Sequence, residues 1–277
     1  MKRTHLAIRI PCLDEIKEIL NAELENLASD GIWDKGNELV AYFPIQTFVE
    51  KDLYNVLSKY NLENSYHITE LEDKNWNEEW EKNYQPVIID KDVIIRAHFH
   101  ESTDDYKHEI VITPRMSFGT GHHATTKLVI EMMLTQNFEN KSVLDMGSGT
   151  GVLSFLAKQQ GAQAVLGIDN DPNAVQNAID NLKYNLHEGV NFLEGSFDAI
   201  PDQKFDIILS NITRNTNKLL LPHLTNRLLT GGIMVLAGFL NFDLEEMVEY
   251  CKELGMQMVK NANEGEWESI IVKKITK

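Results

Sequence analysis

Three glycines at alternate positions, Gly147, Gly149 and Gly151, follow a short apolar run, Ser142 to Met146, that reads as a strand. From Val152 to Gln160 the apolar residues fall at helical spacing, and Gly161 closes that segment. Ala164 to Ile168 is a second buried strand, with Asp169 at its carboxyl end. Each part can do chemistry. Glycine at 147 and 149 lets the backbone turn tightly and approach a ligand with no Cβ in the way. A helix starting near Gly151 offers unpaired N–H groups. Asp169 lies about 20 residues beyond Gly147, the separation at which a carboxylate reaches a ribose diol. The unit is therefore expected to hold a nucleoside-containing cofactor, either a dinucleotide or S-adenosylmethionine. A dinucleotide fingerprint requires glycine at position 152, where this chain has Val152.

Two further groups stand where they would join the same site. Phe205 to Ser210 reads as a strand, FDIILS, with Asn211 at its carboxyl end. In an open α/β sheet that edge faces the ligand, so Asn211 is a candidate for the place where reacting groups meet. The competing reading is a turn residue capping a helix that includes Leu219 to Leu221. The stretch Pro114 to Thr126, PRMSFGTGHHATT, joins Gly119 and Gly121 to the polar side chains of Thr120, His122, Thr125 and Thr126. Either Thr125 or Thr126 is placed to cap a helix running from about Lys127 to Leu134. The competing reading there is a loop and helix cap with no ligand.

Histidines gather at His98, His100, His108, His122 and His123, and His98 and His100 would share one face of a strand. No carboxylate stands at a familiar ligand spacing, so no metal is expected.

These residues must be positioned by a larger frame. The glycine unit is the first half of a doubly wound α/β domain. Strands are also predicted over Val87–Ala97, Glu109–Thr113, Val190–Leu193 and Ile233–Leu236, and a helix over Phe242–Leu254. Met256–Lys260 and Trp267–Lys274 form a closing hairpin. Before this domain, residues 1–72 alternate as strand, helix, strand, strand, helix, strand, with the helices over Leu13–Leu27 and Ile45–Tyr60. That order is the ferredoxin-like plan. Residues 73–85, with Trp76 and Trp80 one helical turn apart and Pro86 behind them, read as a linker helix. The division expected is 1–72, 73–85 and 86–277.

A formal net charge of −16 argues against direct nucleic-acid binding and suits a basic protein partner. Two cysteines, Cys12 and Cys251, are too few for a disulfide framework or a cysteine zinc site. No apolar run approaches the length of a membrane span. A cytoplasmic monomer is expected.

The run Asp145 to Gly151, DMGSGTG, resembles motif I of class I methyltransferases. The earlier loop is similar to the F-G-T-G-x-H-x-T-T signature of the PrmA family of ribosomal-protein methyltransferases, through its Phe-Gly-Thr-Gly run, His122, Thr125 and Thr126. Arg115, Met116 and Ser117 stand where that family usually has smaller or more apolar residues. GIDNDPNAVQNAIDN, SNI and EGEWESIIVKK resemble the family's later elements. The likeness covers residues 73–277 well and residues 1–72 in plan only.

It implies a class I methyltransferase fold, a Rossmann-like seven-stranded mixed sheet behind a small α+β domain. S-adenosylmethionine would be the cofactor, with contacts from Thr126, Gly147, Asp169 and Asn211. The reaction implied is repeated methylation of lysine side chains and an N-terminal amine on the eleventh large-subunit ribosomal protein, recognised by the N-terminal domain. Asn211 would position the amine through its side-chain oxygen, and Gly119 to His122 would act as a flexible lid. Asn211 is followed by Ile212-Thr213-Arg214 rather than Pro-Pro-aromatic, so the platform for a planar base or amide is missing. That favours an alkyl amine over the alternatives, a class I methyltransferase of RNA or of a small-molecule amine. An NAD-dependent oxidoreductase and a non-catalytic adaptor are the readings from other classes.

Overall fold

A computed structural model describes residues 3–12, 14–27, 29–72, 84–114, 121–185 and 188–275. The chain divides into two units, residues 1–83 and 84–277. Within the first, the succession is β1 (Arg3–Pro11), α1 (Asp14–Asn26), β2 (Gly31–Asp34), β3 (Glu38–Pro44), α2 (Glu50–Ser58) and β4 (His67–Glu72). The strands form one sheet in the order β2-β3-β1-β4. Apolar residues alternate along β1 and β3, and Ile8, Ile10, Leu39, Ala41 and Phe43 are buried against Leu20 and Leu24 of α1 and Leu53 and Leu57 of α2. The second helix is shorter than the periodicity from Ile45 implies. The Pro44 carbonyl accepts from the amides of Thr47 and Phe48, at 3.2 and 3.1 Å, and this turn takes up the residues before Glu50. The expected linker helix lies almost wholly on residues 73–83, outside the described residues.

The second unit begins with a small three-stranded sheet of β5 (Val87–Ile89), β6 (Val93–Ala97) and β7 (His108–Ile112). The apolar run 87–97 is two strands rather than one, because the chain reverses at Asp90, whose φ is 52°. The chain continues with α3 (Ala124–Leu134), β8 (Ser142–Met146), α4 (Val152–Gln159), β9 (Ala164–Asp169), α5 (Pro172–Asn185) and β10 (Val190–Glu194). It closes with β11 (Phe205–Asn211), α6 (Arg214–Arg227), β12 (Leu228–Leu240), α7 (Leu244–Glu253), β13 (Met256–Glu264) and β14 (Trp267–Lys274).

The strands from β8 onward make one seven-stranded sheet in the order β10-β9-β8-β11-β12-β14-β13. The pairs through β12 are parallel and β14 runs antiparallel to both its neighbours. The order reverses between β8 and β11, and there the carboxyl ends part to leave a crevice. Both faces of the sheet are covered. Val143, Phe155, Ile207 and Ile271 belong to one core layer, and Leu144, Ile208, Leu221 and Leu236 to the other. This explains why the central strands read as continuous apolar runs.

The small sheet is fastened to the large one by asparagines. Asn185 accepts from the Val111 amide at 3.0 Å and donates to its carbonyl at 2.8 Å. Asn181 accepts from the Thr113 amide at 2.8 Å and donates to the Thr150 carbonyl at 3.0 Å. These two buried side chains of α5 complete the free edge of β7 and tether the glycine loop to it. Among the described residues no helix is long and apolar enough to cross a membrane.

Candidate active site

The crevice between β8 and β11 holds a cavity of about 400 Å³ whose lining includes Gly147, Gly149, Asp169, Asn211, Gly238 and Trp267. The glycine loop forms its floor. The amides of Gly147 and Ser148 both donate to the Ile168 carbonyl, at 2.8 and 3.1 Å, which turns the loop back across the end of β9. Gly147 has φ of 77°, and a Cβ there would meet Ile212 Cγ2 at 2.2 Å, so only glycine leaves the crevice its shape. The Gly149 amide donates to Asp169 Oδ2 at 2.8 Å, and Asp169 Oδ1 accepts from the Asp171 amide at 3.0 Å. Asp169 is thus aimed across the glycine loop by two backbone donors and is half-buried on the cavity wall.

Asn211 enters from the opposite side. The register Ile207↔Val143 through Ser210↔Met146 brings the end of β11 level with the glycine loop. Its side chain is 9% exposed. The Nδ2 group donates to Thr126 Oγ1 at 3.4 Å, whereas Oδ1 is buried with no hydrogen-bond partner. Such an oxygen costs roughly 1–3 kcal/mol in the folded protein, so it marks a place kept for a donor. Asn211 is not the cap of the following helix; that position is Thr213.

The turn after Asn211 is braced from below by Asn217, which is fully buried on α6. Asn217 Nδ2 donates to the carbonyls of Ile212 and Ala237, at 3.0 and 2.9 Å, and Oδ1 accepts from the Ser210 hydroxyl at 2.7 Å. One amide therefore spans the ends of β11 and β12.

Of the sequence-predicted residues, Gly147, Asp169 and Asn211 meet on the cavity. Thr126 is 1% exposed and stands behind Asn211, to which its hydroxyl is bonded. Gly119 and Thr120 lie outside the described residues. The helix cap is neither threonine. His123 caps α3, its Nδ1 accepting from the Thr125 amide at 3.3 Å. The spacing of F-G-T-G-x-H-x-T-T also assigns its histidine to His123 rather than His122, and His123 lines the cavity with its ring 4.8 Å from that of Trp267. His98 and His100 do not share a strand face, because β6 ends at Ala97 and both sit in the turn after it. His100 is used locally, with Nδ1 accepting from the Ala97 amide and Nε2 at 2.8 Å from the Tyr84 carbonyl. Among the described residues no cluster of His, Cys, Asp or Glu is arranged to hold a metal ion.

Trp267, Gly238 and Asn217 were not legible as site residues. Trp267 read only as the start of a late strand, and it reaches the cavity because β14 lies beside β12. Gly238 is a single glycine inside a strand, the pattern of a close backbone approach.

Asp145, two residues before Gly147, is fully buried, and its Oδ2 accepts from the Ser154 hydroxyl at 2.6 Å. Burial pushes its carboxyl up from 3.8 to about 7, opposed by the Ser154 bond and reinforced by the nearby Asp169 charge. The folded state then holds a proton that the unfolded chain releases above 3.8, so stability falls as pH rises from 3.8 to about 7 and levels off beyond. Asp145→Asn is expected to remove that fall, as read by urea denaturation at pH 5 and pH 8. An unchanged pH dependence would show that Asp145 ionises normally.

The family model described as Ribosomal protein L11 methyltransferase (PrmA) matches residues 12–275. A Ribosomal protein L11 methyltransferase from Phocaeicola vulgatus is 34% identical over 265 residues, covering 94% of each chain. One from Chlorobaculum parvum is 30% identical, covering 97% of this chain and 96% of its own. The crystal structure of a ribosomal protein L11 methylase from Lactobacillus delbrueckii subsp. bulgaricus superposes with a TM-score of 0.62 at 24% identity, over 70% of this chain and 99% of that one. With its seven-stranded sheet, its crevice at the strand reversal and relatives matched over nearly their whole length, the chain belongs to the ribosomal protein L11 methyltransferase (PrmA) family.

Proposed function

We propose that the chain methylates ribosomal protein L11 on lysine side chains and on its N-terminal amine, using S-adenosylmethionine. The observation that carries this reading is the buried, unpartnered Oδ1 of Asn211 on a cavity that also presents Asp169 across a glycine loop. The residues fit such a cofactor. Asp169 suits a ribose diol, and the glycine floor admits a ligand where a Cβ at Gly147 would fill the space. Gly147, Asp169, Asn211 and Thr126 would hold it, Thr126 through Asn211. When bound, the cofactor supplies a methyl group made electrophilic by a sulfonium.

The chain's own groups do the rest. An amine of pKa about 10.4 is neutral in only about one molecule in a thousand near pH 7, so the site must favour the neutral form. Burial among Ile212, Gly238 and Trp267 disfavours the ammonium, and Asn211 Oδ1 accepts an N–H and so aims the lone pair. Thr126 keeps the Asn211 amide from rotating by occupying Nδ2. We assign recognition of the ribosomal protein to residues 1–72 and the connection to 73–85. We place the reaction in the cytoplasm, with a monomer acting on protein rather than nucleic acid.

Incubation with methyl-labelled S-adenosylmethionine and unmethylated ribosomal proteins, followed by mass analysis, tests the reading. Label confined to L11 is expected; no labelled protein despite cofactor binding would overturn it. Asp169→Asn is expected to raise the cofactor Kd roughly 10–100-fold, the range of a lost charge-assisted bond. Calorimetric titration checks this, and an unaltered Kd would remove Asp169 from the cofactor site.

A further inference from the structure

Beyond Gly238, which lines the cavity, β12 runs on to Leu240 and into a segment that the proposed chemistry does not use. Leu240 pairs with Trp267, and the Asn241 amide donates to the Glu266 carbonyl at 2.9 Å. A 3-10 turn, Asn241–Asp243, follows and holds Phe242 outward. At 75% exposure it exceeds every other large apolar side chain among the described residues.

A single exposed phenylalanine is ordinary on a protein surface. This one differs in three respects. Its turn is pinned: Asp243 is buried, its Oδ2 accepts from the Leu240 amide at 3.2 Å, and its Oδ1 accepts from Arg214. The ring is therefore held in water by a fixed backbone rather than carried on a loose loop. It stands two residues past Leu240, the strand partner of Trp267, and Trp267 and Gly238 line the active-site cavity. Its surroundings are acidic. The stretch FDLEEMVEY carries Asp243, Glu245, Glu246 and Glu249 and no basic residue, and Glu266, in the β13–β14 turn, is joined to it through its backbone carbonyl and the Asn241 amide. Arg214, Lys218 and Lys252 pair with Asp243, Glu246 and Glu249. Glu245 and Glu266 are exposed.

We infer that Phe242, with Glu245 and Glu266, forms a docking surface for a lysine-rich segment of the protein substrate adjoining the amine that is methylated. This rests on the proposed reaction. An aromatic face takes the alkyl stem and ammonium of a lysine, and carboxylates around it draw a basic chain in and repel a nucleic acid. The chain's net charge of −16 has the same sign as these carboxylates, so the long-range field and the local patch favour one kind of partner.

The test compares wild type, Phe242→Ala and Phe242→Trp in steady-state methylation of unmethylated L11 and of a short capped peptide with one lysine. Phe242→Ala is expected to raise KM for L11 about tenfold, the loss typical of an interface anchor, with kcat and cofactor Kd unchanged. KM for the peptide stays level, and Phe242→Trp restores wild-type values. Glu245→Lys combined with Glu266→Lys raises KM for L11 and flattens its dependence on salt. If wild type methylates L11 and all these variants match it, the docking surface is refuted and the proposed reaction stands. If wild type binds cofactor yet methylates no ribosomal protein, both fall together.

Discussion

Asn211→Ala is expected to lower kcat about 100-fold, the scale of losing the group that orients a reacting atom. The cofactor Kd should move far less, because the glycine loop and Asp169 remain. The same substitution should leave the fold about as stable as wild type. The Asn211 oxygen is buried without a partner, and deleting it relieves a desolvation cost of roughly 1–3 kcal/mol, which offsets the lost bond from Nδ2 to Thr126 Oγ1. Activity would then fall without a matching loss of stability, which a general packing defect does not produce. Single-turnover methylation and urea unfolding on the same preparation decide it. Undiminished turnover would sink the amine-positioning role, and a large loss of stability would recast Asn211 as structural.

Gly238→Ala should be the most destabilising single-methyl change in the second unit. Gly238 has φ of 90°, and a Cβ there would lie 1.9 Å from the Ile212 carbonyl oxygen and 2.7 Å from its carbon. That carbonyl cannot withdraw freely, because it accepts from the buried Asn217. A left-handed backbone and a backbone clash together cost about 3 kcal/mol or more. At roughly 2–4 °C per kcal/mol, Tm falls by about 6–12 °C. Gly231→Ala is the control: φ is 83° there too, but a Cβ meets nothing within 4 Å, so only the dihedral cost of about 1 kcal/mol applies. Equal Tm shifts for the two variants would show that the crevice is softer than its hydrogen bonds imply. A destabilised Gly238→Ala protein should also bind cofactor poorly, since Ile212 and Gly238 share the cavity wall.

The parts of this molecule readable in its sequence are those with local causes. Ser142–Met146, Ala164–Ile168 and Phe205–Ser210 are apolar runs of strand length, and Gly147, Asp169 and Asn211 stand at their carboxyl ends, where a parallel sheet places its ligands. Thr126 was a candidate through its motif, but its bond to Asn211 joins elements far apart in the chain. The failures have the same origin. His98 and His100 looked like one strand face because nothing nearby marks the stop at Ala97; the His100 ring itself makes that turn by accepting from the Ala97 amide. Nothing in the sequence sets Asn181, Asn185 and Asn217 apart from the chain's other asparagines. Their function lies in carbonyls and amides that only the tertiary fold brings within reach. Trp267 belongs with them, visible as an apolar residue but not as a wall of the cavity.

The position of β14 bears on how the protein is made. It is later in the chain than β13 yet lies between β13 and β12, and Ile270, Ile271 and Val272 are fully buried there. During synthesis the ribosome therefore releases the outer strand before the inner one it must pair with. A nascent chain complete to Glu264 presents β12 as an open edge with both faces apolar, the kind of edge that recruits other chains. Trp267, the first residue of the strand that closes this gap, is also a wall of the cavity, so the cavity is not fully walled before the sheet is sealed. The cavity's last wall and the sheet's last inner strand arrive in the same few residues, which makes a closed cavity a marker of completed folding.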